Sequence, residues 1–486
     1  MNKQIRRVVI AFGIMFLAML LNVQYVQVLH ATQLNKRADN QRTQLDAYSR
    51  ERGPILVGGE PVAESVATKD ALKYQRKYDD GNLYATVTGF YSSVFGSEGV
   101  ERTQDGILSG NDDRLFVRRL VDLITGEQPA GGSVLLTIDP AAQKAATEAL
   151  GDRTGAAVAI EPKTGKILAL VSTPSYDPNL LAAHSVNKQL GAKQRLDRDT
   201  KQPMLDRATQ SRYPPGSTFK LVTAAAALSS GKYQTNTMLA SPHVLDLPQS
   251  THSIENDGGE TCGAVNNQLS LLNAMKVSCN TTFAQLGMDI GDQALREQAL
   301  KFGFGSAPLT DEVRNVSSVF PDQLDQPQLA LSSIGQYDVA ATPLQIAMVS
   351  AGIANGGEVM KPYLSAVVRG PDLRPIEITR PQVYSRAVSA GVASQLTQMM
   401  EAVVNGNGGT GTAAQISGVR VAGKSGTAQS AEGRAPYAWF TSFAPADNPQ
   451  VAVAVLIEDA NIPAQDVYGG RVAAPVAKEI MQAVIK

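Results

Sequence analysis

The stretch Tyr213-Pro214-Pro215-Gly216-Ser217-Thr218-Phe219-Lys220, followed at once by the apolar, alanine-rich run 221–228, leaves the chain few local options. Two prolines and a glycine do not sit inside a helix, whereas the run after them favours one. The pattern therefore predicts a turn and then a helix that starts at or near Ser217. A hydroxyl is thereby presented at a helix N-terminus, and Lys220, three residues on, shares its face. Serine is a poor nucleophile unless a base takes its proton, and an amine can be that base only when neutral. Burial and the positive end of a helix dipole both lower a lysine from its usual ~10.4. Ser-x-x-Lys alone is a weak signal, because the chain carries two more copies, Ser185 to Lys188 and Ser229 to Lys232. Ser229 lies where the helix is expected to end at Gly231, which makes Lys232 a protonated capping lysine. Ser185 sits in a polar Asn/Gln/Lys-rich stretch with no helix start before it and is expected to be a surface segment.

The 486 residues, 43% of them hydrophobic, are enough for two or three domains. A net charge of -1 leaves no electrostatic footprint for nucleic acid. Residues 1–30 are expected to form a cytoplasmic tip and a transmembrane anchor. Lys3, Arg6 and Arg7 precede the span 8–29, whose first fourteen residues are apolar without a break, about enough to cross a bilayer. Leu29-His30-Ala31 is a poor cleavage site, so an uncleaved signal anchor is expected, with a cleaved signal peptide as the alternative. Lys36, Arg37, Arg42 and Arg50 lie just beyond the span, so charge asymmetry leaves its orientation undecided.

Residues 31–130 are polar and mixed, with strand-like pieces such as 84–89, and read as a non-catalytic pedestal. Residues 131–486 form the main domain. Strand 134–138, helix 140–150 and a hairpin of 156–160 with 166–172 are expected, then strands 438–443 and 451–457 and a final helix from about Ala473. The class is α/β, or α+β with a mainly antiparallel sheet flanked by helices.

Two further constellations bear on chemistry. Ser278-Cys279-Asn280 falls between two helical runs, where a kink would point a hydroxyl and an amide into a cleft; an ordinary polar helix corner is the plain alternative. In the stretch 419–427 an alternating strand ends in Lys424 flanked by small residues, a design that suits a carboxylate lying along a strand edge. Residues 418–425 also satisfy the phosphate-loop pattern Gly-x4-Gly-Lys-Ser. That loop needs a strand before its first glycine and a helix at its lysine, whereas here the loop residues look like the strand itself, so no nucleotide is expected. Lys163-Thr164-Gly165 is a literal Lys-Thr-Gly, but it sits in a hairpin turn and precedes Ser217.

Ser-x-x-Lys, Ser-x-Asn and Lys-Ser/Thr-Gly, in that order, resemble the motif set of the penicillin-recognising serine acyltransferases. The surroundings resemble class B, monofunctional penicillin-binding proteins: Leu136-Thr137-Ile138-Asp139, Gly335-Gln336, Thr342-Pro343-Leu344-Gln345, Ala354-Asn355-Gly356-Gly357 and Trp439-Phe440 in the transpeptidase domain. Arg52-Gly53, Ile55 and the stretch 96–110 resemble the N-terminal module of that class. The chain departs from the family at Val57-Gly58-Gly59-Glu60, where an acidic-Arg-Asn-Gly sequence is usual, and at Tyr337, where glycine is usual.

The resemblance implies the penicillin-binding transpeptidase fold and a peptidoglycan D,D-transpeptidase acting on stem peptides that end in D-Ala-D-Ala, with β-lactams as substrate mimics. It makes Ser217 the nucleophile and Lys220 its base. Ser278 and Lys424 would relay a proton to the departing D-Ala while Asn280 orients the substrate amide. Ser425, Gly426 and Thr427 join Lys424 in binding the terminal carboxylate, and the amides of Ser217 and Thr427 form an oxyanion hole. The resemblance implies no cofactor and no metal. It places residues 30–486 outside the cytoplasm on a single-pass membrane protein and implies a membrane-embedded glycan polymerase and division proteins as partners. In such an exported domain the two cysteines, Cys262 and Cys279, would bridge and tie the loop 257–261 to the Ser278 motif, two buried thiols being the alternative. A zinc site from these with His243 and His252 follows no known spacing. A hydrolytic carboxypeptidase or β-lactamase, and an idle division scaffold, are the other functional readings.

Overall fold

The computed structural model describes residues 3–30, 48–70, 72–116, 124–125, 130–259, 261–306, 309–430 and 433–485. Lys36, Arg37 and Arg42, and Glu260 of the 257–261 loop, lie outside the described residues. Residues Lys3–Gln24 form an α-helix that continues through Tyr25–Leu29, exposed throughout and long and apolar enough to cross a membrane.

A five-stranded sheet organises the main domain, in the order Ala422–Ala428, Tyr437–Ala444, Val451–Asp459, Thr154–Ile160, Ile167–Thr173, every neighbouring pair antiparallel. The central run Val451–Asp459 shows why the sheet is covered on both sides. Ala452, Ala454 and Leu456 pack into one apolar core with the helix Pro343–Ala354, whereas Val451, Val453, Val455 and Ile457 pack into a second with helices Pro140–Leu150 and Ala474–Val484. Alternate residues point to opposite faces of a strand, so an unbroken apolar run buries both. Asp139 starts the Pro140–Leu150 helix by accepting the N–H groups of Ala141 and Ala142 at 2.8 and 3.0 Å.

A second sheet of six strands runs Pro375–Ile378, Ser365–Arg369, Ser133–Leu136, Ile55–Val57, Glu60–Ala67, Tyr74–Tyr78, and so draws on both sides of residue 130. Beside it Glu101, wholly buried, accepts from Arg52 Nε and Arg76 Nε, each at 2.6 Å, and from the Tyr78 hydroxyl at 3.1 Å. Two guanidiniums on one carboxylate leave one positive charge over, which Asp105 offsets by accepting from Arg52 Nη1 at 2.7 Å.

Several local expectations are corrected. Residues 84–88, read as strand from their β-branched and aromatic content, belong to the helix Gly81–Thr88, which buries Tyr84, Ala85, Val87 and Thr88. Tertiary burial overrides weak strand propensity there. Ser185 is exposed at the surface, but a helix does start there: it is the N-cap of helix Val186–Arg198, its hydroxyl accepting from the Lys188 N–H at 3.5 Å. The helix Lys220–Ser229 is closed by the Ser230 hydroxyl on Ala227 O at 2.6 Å, and a Lys232 side-chain cap is not among its described bonds.

Candidate active site

Ser217 lies in a single 3-10 turn, Gly216–Thr218, that leads into the helix Lys220–Ser229. Three contacts pin this turn. Trp439 Nε1–H donates to Pro214 O at 2.9 Å, the Thr218 hydroxyl donates to Pro215 O at 2.7 Å, and the Gly216 N–H donates to Gly335 O at 2.9 Å. Gly216 has φ +52, and a Cβ there would stand 2.7 Å from Thr427 O. Glycine is what lets the turn bearing Ser217 lie directly against the Ala422–Ala428 strand.

Ser278 occupies the break between helices Leu271–Lys276 and Asn280–Ile290, with φ +62. That left-handed residue turns its carbonyl out of the helical path. Lys220 Nζ, fully buried, donates to this carbonyl at 2.7 Å, to Asn280 Oδ1 at 2.7 Å and to Ser278 Oγ at 3.3 Å. Lys424 Nζ, also fully buried, reaches the same Ser278 hydroxyl at 2.9 Å and Ser425 O at 2.6 Å. The lysine is the third residue of its strand, not the last: the strand begins at Ala422 and runs on to Ala428, opposite Tyr437–Ala444. No helix opens at Lys424, so the phosphate-loop pattern is coincidental.

Burial pushes the Lys220 amine down to about 7, with the Asp257 carboxylate pulling weakly the other way. Lys424 is held well below its ordinary value, first by burial and then by the charge of Lys220, again against Asp257. Both effects disfavour two ammonium ions in one dry site.

One support of this corner, Asn256, carries no signal in the local sequence. Asn256 Oδ1 accepts the N–H groups of Asn280 and Thr281 at 2.9 and 3.1 Å, capping the Asn280–Ile290 helix from a distant segment because Cys279 supplies no side-chain cap. Asn280 Nδ2 donates to Glu255 O and to Asp257 Oδ1, each at 3.3 Å, which fixes the amide with its oxygen toward Lys220. Cys262 and Cys279 lie at disulfide distance, 5.8 Å between Cα atoms, and join the 257–261 loop to the Ser278 motif. Among the described residues no His/Cys/Asp/Glu cluster suited to a metal occurs.

Ser217, Asn280 and Thr427 line one cleft of about 470 Å³, together with Asp257, Tyr337 and Tyr468. Ser425 stands behind it, its hydroxyl 2.7 Å from that of Thr410, and Thr427 Oγ1 accepts from the Gly469 N–H at 3.4 Å. Gly426 lies against the turn bearing Ser217, where a Cβ would come within 2.9 Å of Thr218. Behind the cleft the Ser278 hydroxyl is bridged by two buried amines, those of Lys220 and Lys424, an arrangement along which a proton can pass.

Residues 155–482 match the family model of the penicillin-binding protein transpeptidase domain, and residues 52–134 match that of the penicillin-binding protein A dimerisation domain. The chain belongs to the penicillin-binding protein transpeptidase family. It is 44% identical over 494 residues, covering 100% of this chain and 99% of the other, to the peptidoglycan D,D-transpeptidase PbpA of Mycolicibacterium smegmatis. The PbpA of Mycobacterium tuberculosis is 44% identical over 497 residues, with 100% of this chain and 99% of the relative covered. The ceftriaxone acyl-enzyme complex of penicillin-binding protein A from M. tuberculosis superimposes with a TM-score of 0.87 at 44% identity, over 91% of this chain and 100% of that one.

Proposed function

We propose that this chain is a peptidoglycan D,D-transpeptidase in which Ser217 forms the acyl-enzyme. The observation that carries the residue roles is the shared cleft of Ser217, Asn280 and Thr427, with Lys220, Ser278 and Lys424 linked behind it by hydrogen bonds. Lys220, its amine pushed down to about 7 by burial, takes the Ser217 proton as Oγ attacks the carbonyl of the penultimate D-Ala. The backbone N–H groups of Ser217 and Thr427 hold the developing oxyanion, each such donor contributing ~3 to 4 kcal/mol to the transition state. The proton then passes through the Ser278 hydroxyl, bridged by Lys220 and Lys424, to the nitrogen of the departing D-Ala. Asn280 positions the substrate amide, and Lys424, Ser425, Gly426 and Thr427 receive the terminal carboxylate. The amine of a second stem peptide resolves the acyl-enzyme, and β-lactams acylate Ser217 in place of the donor.

The substrate's location orients the N-terminal helix: residues 1–30 anchor the chain in the cell membrane, residues 31–130 serve as pedestal, and residues 131–486 carry out catalysis outside the cytoplasm. The pedestal lacks polymerase motifs, so a membrane-embedded glycan polymerase and division proteins are the proposed partners. Fluorescent penicillin tests the reading. Wild type should carry a long-lived adduct that Ser217→Ala and Lys220→Ala lose. Rapid turnover of the adduct would instead mark a hydrolase, and no adduct on wild type would sink the proposal.

A further inference from the structure

Tyr337 lines the same cleft as Ser217 and combines two features that a folded chain ordinarily avoids. Its φ is +57, in the left-handed region where a bulky side chain is an outlier, and 43% of it remains exposed. A slack loop does not explain this. On one side the Gln336 N–H donates to Leu331 O at 3.0 Å, and Gly335 O receives the Gly216 N–H at 2.9 Å. On the other, Ala340 exchanges backbone bonds with Val319 at 2.7 and 3.1 Å, and Ala341 does so with Tyr213 at 2.9 and 3.0 Å. The turn bearing Tyr337 is thus locked in register with the turn bearing the nucleophile. Leu373 is likewise exposed at a positive φ, in a hairpin turn away from the cleft, so what sets Tyr337 apart is its place on the wall of the cleft that Ser217 lines. Leu331, Ile334, Pro436 and Tyr468, the last 47% exposed, line this cleft as well and give it apolar surface beside the polar cluster.

We infer that Tyr337 is a specificity-determining residue that packs against an apolar substituent of the acyl donor held in this cleft. Two donors supply that chemistry: a stem peptide, through an aliphatic portion, and a β-lactam, through its acylamino side chain. The inference rests on the acyl-transfer reading above and goes beyond it by naming what selects among donors.

The test compares second-order acylation by benzylpenicillin, which carries an apolar side chain, with that by 6-aminopenicillanic acid, which carries none. A second arm uses N-acyl-D-Ala thioesters bearing an acetyl or a hexanoyl group. Tyr337→Gly and Tyr337→Asn both accept a positive φ, so they are expected to melt at or above the wild-type temperature. In both, the preference for the apolar-substituted donor should fall roughly 3- to 10-fold through the apparent binding constant, while Tyr337→Phe keeps it. A fall confined to the β-lactam arm assigns the contact to that side chain, and one seen with the thioesters extends it to aliphatic donors. An unchanged preference in both arms, or an equal loss with every donor, overturns the inference. Those results leave the wild-type adduct intact and are therefore distinct from failure of the acyl-transfer reading, in which wild type forms no adduct.

Discussion

Lys220 and Lys424 place their amines on one hydroxyl, that of Ser278, at 3.3 and 2.9 Å. Two buried amines sharing one acceptor resist double protonation, and Lys220 sits near 7 chiefly because of burial. Lowering pH protonates Lys220 and removes the base; raising it restores the base. Acylation by penicillin should therefore climb from about pH 5.5 and level off above about pH 8, changing roughly tenfold per unit well below the midpoint. Lys220→Arg, which cannot deprotonate, should lose ~10²- to 10⁴-fold on the high-pH plateau, the deficit shrinking as pH falls and wild type loses its own base. Stopped-flow acylation rates check both, and a flat profile would be fatal to the assignment of Lys220 as base.

Removing the shared hydroxyl should slow proton delivery and loosen both amines. Ser278→Ala is expected to acylate about 10²-fold more slowly. Its pH limb should hold its position or shift to lower pH, because a lost acceptor favours the neutral amine. A limb displaced to higher pH would contradict this.

The Cys262–Cys279 pair has a sequence separation of 17 and closes the segment 262–279, which ends at the Ser278 motif. Cys262→Ser should lower stability by ~3 kcal/mol on the chain-entropy account. Acylation should slow as well, since the corner at Ser278–Asn280 loses a tether. Chemical denaturation with and without reductant reads the first effect; equal stability in both conditions would show that no bridge forms.

Gly335→Ala is a test of the turn bearing Ser217. The added Cβ would stand 2.2 Å from Gly216 O, a backbone atom that cannot swing aside, at a position whose φ is +73. A loss of at least about 2 kcal/mol and of most penicillin labelling is expected. A variant that labels and melts like wild type would mean the turn at Ser217 tolerates displacement.

Legibility tracked sequence distance. The relation of Ser217 to Lys220 lies within one helical turn, and the Pro-Pro-Gly entry marks where that turn begins. The hairpin 154–173 and the apolar strand 451–459 were legible because burial imposes a pattern on every residue of such elements. That Ser278 and Lys424 meet depends on packing across 146 residues, and only the order of motifs hinted at it. Asn256 had no signature: its amide caps a helix 24 residues away, and nothing around it in the chain announces a cap. The helix at 81–88 was missed because Tyr84 and Val87 favour strands locally and are overruled by burial.

The Ser133–Leu136 strand is hydrogen-bonded to Ile55–Val57 on one side and to Ser365–Arg369 on the other. A fragment cut to begin at residue 131 would strip three strands from that sheet. It would leave a row of open N–H and C=O groups, the template on which identical chains stack. A soluble reagent for inhibitor screening should therefore start ahead of Arg52. The segment that contributes no chemistry is then what keeps the penicillin-reactive part dispersed long enough to be assayed.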